Sequence, residues 1–136
     1  MRKLRTMRNQ PHARVGVFGD TAKAAAHEFG APGAGIPERS FIRLTFAKQE
    51  REQAAFSAKL VKAIVEKGMS VEKALELLGQ WGVKEVRATI VKQPSEWEPL
   101  SKAYAAKKDP KKTKILVDTG ELINSITYEV KMRNAD

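Results

Sequence analysis

The chain has 136 residues, 42% of them hydrophobic and 30% charged, enough for one domain with one modest core and too apolar for a disordered chain. Cysteine is absent and His12 and His27 are the only imidazoles, which excludes disulfides and thiolate metal sites and argues against a zinc site. The formal net charge of +9 invites a polyanionic neighbour, either nucleic acid or an acidic protein surface.

No apolar run approaches the roughly 20 residues of a membrane span, so no membrane partner is expected. Residues 1–12 read as a flexible basic arm, and Met1 to Arg8 lack the apolar core of a secretory signal. Ala13 to Phe18 predict a short strand, stopped by Gly19-Asp20. Thr21 to Phe29 are alanine-rich and predict a short helix capped by Asp20 and stopped by Gly30. Ala31 to Pro37 alternate glycine and proline with small residues and predict a loop.

Glu38 to Phe46 are ambiguous. Ile42, Leu44 and Phe46 alternate as in a strand, yet the segment runs into strong helix formers. The expectation is an irregular or one-turn lead into a long helix from Phe46 to Lys67. Phe56, Leu60 and Ile64 give that helix its apolar face, and Gly68 stops it. A second long helix is expected over Val71–Lys92. Ser70 suits its N-cap, Glu72 suits the positive end of the helix dipole, and Pro94 ends it. Val71, Leu75, Leu78, Gly82, Val86 and Ile90 form one stripe down it. Gly79 and Gly82 each cost up to about 1 kcal/mol in a helix interior. A second backbone passing close to Gly82 would explain that cost, and a helix broken there is the alternative. The two helices should form an antiparallel hairpin joined at Gly68-Met69.

Ser95 to Leu100 predict a turn, and Pro99 opens a short helix through Ala106. Lys107, Lys108, Lys111, Lys112 and Lys114 make a basic loop that either stays solvated or touches phosphates. Ile115-Leu116-Val117 lead into Asp118, which with Glu121 can cap a helical turn through Ser125. Ile126, Tyr128, Val130 and Met132 alternate with Thr127, Glu129, Lys131 and Arg133, the mark of a strand with one wet face. No internal repeat is present. The expected class is α+β in a single domain, residues 1–136. Two long antiparallel helices carry a small antiparallel sheet formed by strands near both chain ends. Such a thin sheet needs either a helical platform or completion between subunits, and exposed edges favour completion.

An apolar run followed by Asp118-Thr119-Gly120 is also how a retroviral-type aspartic protease presents its catalytic carboxylate. Too little chain follows it for the β-rich body of such an enzyme, Glu121 stands where a small residue belongs, and two long helices are foreign to it. His27-Glu28 has no second histidine four residues on, the Ala31–Gly35 loop has no phosphate-binding lysine, and no serine sits in a nucleophile motif. Trp81 and Trp97 read as core or interface anchors, and with 7% aromatics single-strand recognition is weakly supported. No catalytic residue, metal ligand or cofactor site is expected.

Two pairs of segments carry a resemblance. His27-Glu28-Phe29-Gly30 is followed by Ile36-Pro37-Glu38-Arg39-Ser40-Phe41-Ile42-Arg43, and Pro99-Leu100-Ser101 by Leu116-Val117-Asp118-Thr119-Gly120-Glu121-Leu122-Ile123-Asn124-Ser125-Ile126. Together they resemble the signatures of tailed-bacteriophage virion morphogenesis and tail-completion proteins. Here the Asp-Thr-Gly segment follows the Glu-Phe-Gly segment, where many relatives have it first, and Ser40 stands where proline is frequent. Head-completion, tail-terminator and tail-completion proteins all stay open. The resemblance implies a non-enzymatic structural protein of the head–tail connection, made in the host bacterial cytoplasm and carried in the virion. It implies a homo-oligomeric ring, a hexamer or a dodecamer, around the DNA channel, with other neck and tail proteins as partners and non-specific contact with packaged DNA. His27, Glu28, Phe29, Gly30, Pro37, Arg39, Phe41, Asp118, Thr119, Gly120, Leu122 and Ser125 are then the motif or interface residues, and the five lysines would face the lumen. The alternatives are a basic nucleic-acid-binding module and, more remotely, the dimeric protease.

Overall fold

The computed structural model describes residues 10–19, 21–92, 94–97 and 121–132. The described elements are β1 (His12–Gly16), α1 (Ala22–Phe29), a 3-10 turn (Pro32–Ala34), α2 (Ile42–Lys48), α3 (Glu50–Lys67), α4 (Val71–Lys92), α5 (Glu121–Ser125) and β2 (Thr127–Lys131).

Helix α4 is the platform. Its bounds match the sequence expectation, and the Ser70 hydroxyl accepts the Lys73 backbone N–H at 3.1 Å, as an N-cap should. Gly68 closes α3 in the left-handed conformation (φ 69°) and the chain turns back. Phe56 stacks on Trp81 with ring centroids 6.0 Å apart, two positions at similar distances from the turn, as an antiparallel hairpin requires.

Strands β1 and β2 form a two-stranded antiparallel sheet, with His12 opposite Lys131 and Gly16 opposite Thr127. The expected strand 13–18 starts one residue earlier and stops at Gly16, where its partner runs out. The sheet lies on α4. Val15 and Tyr128 are cross-strand neighbours, and they meet the helix at its glycines: a Cβ on Gly82 would stand 2.7 Å from Val15 Cγ2, and one on Gly79 would overlap the Tyr128 ring. The expected close backbone at Gly82 is thus a side chain, and α4 runs unbroken past both glycines. The other sheet face is polar, with Arg14 paired to Glu129 at 2.8 Å.

The segment before α3 differs from expectation. Ile42–Lys48 is a helix of two turns, and Gln49 separates it from α3. The lead-in is therefore longer than one turn, and the long helix starts at Glu50 instead of Phe46. Ile42, Leu44 and Phe46 all pack on the core from this helix, so their alternation is not a strand's. Thr45 is buried, and its hydroxyl lies 2.6 Å from that of Thr89 on α4.

The core joins Ala24, Phe41, Val86, Ile90, Trp97, Leu122 and Ile126, so α4 and the turn after it are packed between segments from the two halves of the chain. The architecture is α+β, as expected. Thr21 occupies the cap position of α1; Asp20, the Pro99–Ala106 helix, the basic loop and the Ile115–Val117 segment lie outside the described residues.

Candidate functional site

The first motif folds into a knot around Glu28. Its side chain is buried at 4% exposure, and both carboxylate oxygens point at the start of α2. Oε2 accepts the Ile42 backbone N–H at 3.0 Å, and Oε1 accepts the Arg43 N–H at 2.8 Å. These are unpaired donors of a helix N-terminus, where a carboxylate also meets the positive end of the dipole. Phe41, at the cap position, supplies no side-chain bond, so α2 is capped from fourteen residues upstream.

Arg43 locks the knot. Its guanidinium donates to Glu28 Oε1 at 3.2 Å, to the Glu28 carbonyl at 2.6 Å and to Glu38 Oε1 at 2.7 Å, and lies 4.6 Å over the Phe29 ring. Desolvation pulls its pKa down, but the bonds to Glu28 and Glu38 outweigh that and hold it above the ordinary arginine value. Gly30 has φ 80°, and a Cβ there would stand 3.0 Å from the Glu38 backbone nitrogen. Ala31 and Ile36 exchange backbone hydrogen bonds at 2.8 and 3.1 Å, which shapes the expected loop into a closed turn leading to Pro37. The Arg39 N–H donates to the His27 carbonyl at 2.8 Å, and the Arg39 side chain is buried.

The second motif is described from Glu121 onward; Asp118, Thr119, Gly120 and the lysines at 107, 108, 111, 112 and 114 lie outside the described residues. Leu122 and Ile126 are buried in the same core as Phe41, so the two motifs converge there. The Ser125 hydroxyl donates to the Leu122 carbonyl at 2.7 Å. Arg87 of α4 donates to the Ile123 carbonyl within α5 at 3.2 Å and to the Ile126 carbonyl just beyond it at 2.9 Å, tying the corner to the platform. The importance of Arg87 is invisible in the sequence, where it is one of many basic residues on an exposed helix face.

The placed motif residues therefore build the fold more than they line a cleft. Glu28 has both oxygens occupied by donors, which suits a cap and not a proton acceptor. The surfaces left open lie elsewhere. Within the described residues, each strand of the sheet has one unpaired edge. Next to β1 runs a half-open groove of about 330 Å³, lined by Ala13, Val15, Phe46, Gln53, Leu78, Trp81 and Gly82. Phe29, Val61 and Val65 are exposed apolar side chains. Among the described residues no three His, Asp or Glu side chains gather as metal ligands, and no helix is long and apolar enough to cross a membrane. Comparison with protein-family models, with curated proteins and with solved structures finds no match to this chain.

Proposed function

We propose that this chain is a structural ring subunit of the head–tail connection of a tailed-bacteriophage virion, without enzymatic activity. The observation that carries the reading is the sheet: two short strands on a helical platform, both with an edge unpaired among the described residues, and an open groove of mixed polarity beside one of them. Two different open edges on one subunit suit head-to-tail pairing, β1 of one copy against β2 of the next, which closes into a ring when the rotation per subunit allows it. The motif residues support it in a different way from the first expectation: they set the subunit's shape and so the angle at which neighbours meet. The net charge of +9 fits a channel that DNA traverses.

Electron microscopy of the purified protein, and of tails assembled with it, tests the proposal. Closed rings located at the head-proximal or terminal end of tails are expected. A protein that stays monomeric and joins no tail or head assembly would overturn it. Under the second reading, a nucleic-acid-binding module, the free monomer would bind DNA with affinity that falls steeply as salt rises, because lysines displace condensed counterions.

A further inference from the structure

Helix α3 is a two-sided element. One side buries Leu60 and sets Phe56 against Trp81 of α4. The other side carries Ala54, Ala58, Val61 and Val65, all exposed, with Val61 at 57% and Val65 at 78%. Their 4-3-4 spacing places the four within an arc of about 60° along about 17 Å of helix. That is the seam spacing of paired helices, and nothing among the described residues covers it.

We infer that this face pairs with the same face of a second copy, the two α3 helices running antiparallel about a twofold axis. Two features choose the partner and its direction. The first is shape. In the antiparallel register Ala54 faces Val65 and Ala58 faces Val61, so every layer sets a small residue against a branched one and the seam has even width. A parallel pair in register would set alanine on alanine at one end and valine on valine at the other, leaving the helices splayed. The second is charge. Arg51 and Glu66 lie on the same flank of the seam at opposite ends of α3, both exposed, and neither has an ion-pair partner among the described residues. An antiparallel copy brings Arg51 against the second copy's Glu66, and the twofold axis repeats the contact. A parallel copy would leave Arg51 and the second copy's Glu66 at opposite ends of the pair and on opposite flanks of the seam, so they could not meet. The contact is isologous and closes at two copies, so it differs from the open sheet edges and does not rest on the ring reading.

The absence of cysteine from the chain makes the pairing directly readable. The double variant Ala54→Cys with Val65→Cys should form a disulfide-linked dimer under copper–phenanthroline oxidation, while each single variant should not, because the same residue on two antiparallel copies is far apart along the seam. Efficient cross-linking of either single variant would overturn the antiparallel register. In sedimentation equilibrium the parent chain should show a species of twice, or an even multiple of, the chain mass. Val61→Glu with Val65→Glu should halve that mass with unchanged circular dichroism, since both side chains are exposed. A parent that is monomeric across micromolar concentrations overturns the pairing. Glu66→Arg should weaken association about tenfold, and adding Arg51→Glu should restore it; no loss, or no restoration, would show that the flank charges do not meet. A ring that survives in the Val61→Glu, Val65→Glu variant separates this interface from the sheet edges.

Discussion

Glu28 illustrates how a residue that looks chemical can be architectural. Its carboxylate holds two backbone donors at a helix start and one guanidinium, and it is buried while doing so. Replacing it by alanine leaves those donors unpaired, and buried charged hydrogen bonds cost about 2–3 kcal/mol to lose. Glu28→Ala should therefore lower the unfolding free energy by about that amount in urea titration, and Glu28→Gln, which keeps an acceptor, by less. Gly79 and Gly82 pose the opposite problem. Alanine would improve helix propensity by about 1 kcal/mol at either position. At Gly79 the added methyl would clash with Tyr128 Cδ2 at the edge of the ring, and overpacking of that kind costs about 1–3 kcal/mol. Gly79→Ala should thus destabilise the protein on balance in thermal melts, and the double variant with Tyr128→Ala should lose less than the sum of the two single losses, because the two sites share one contact.

Among the elements, α2 and α5 are too short to stand alone, and each is held by a long-range polar bond. Glu28 holds the start of α2, and Arg87 holds the end of α5. Arg87→Ala should loosen the corner into β2 and cost about 1–2 kcal/mol, with hydrogen exchange rising first at residues 123–127. The turn ending at buried Trp97 is held in a different way. Its indole N–H donates to the Ser40 carbonyl at 3.4 Å, and Lys48 pairs with Glu96 on the surface. Hydrogen bonding from Lys48 lowers the Glu96 pKa below its ordinary 4.5. A carboxylate whose pKa falls on folding stabilises the fold above its unfolded pKa, and the contribution disappears as pH drops through the folded value. The stability difference between the parent and a Lys48→Met variant at pH 7 should accordingly shrink as pH is lowered through and below 4.5, followed by tryptophan fluorescence.

At the scale of the whole molecule, the chain ties residues 12–16 to residues 127–131 across α4. Removing the segment from Thr127 onward would strip Tyr128 from Gly79 and take from β1 its one partner among the described residues, and a strand without a ladder is not held in place. Such a truncation should lose the cooperative melt seen by circular dichroism, whereas removing residues 1–9 should leave the β1–β2 pairing in place. The open sheet edges and the outward face of α3 are two separate surfaces on one subunit, so assembly can be dissected by substitutions on one that leave the other intact.

Much of this was legible in the amino-acid sequence. The bounds of α4, the Ser70 cap, the Gly68 stop, the alternation of β2 and the α+β class all follow from spacing, capping chemistry and backbone freedom, which act over a few residues. The helical stretch from Ile42 was not legible, because its cap is Glu28, and neither was the role of Arg87, because its acceptors lie 36 and 39 residues away. Gly82 could be marked as a place of close approach, but only the packed sheet shows that a side chain fills it and that Gly79 is a second such place. The sequence by itself determined the elements whose hydrogen bonds and apolar periodicity are local. The tertiary structure decided where short helices start, what the helix glycines receive and which faces stay open, since each of those depends on donors, acceptors and surfaces that meet only when distant segments share one core.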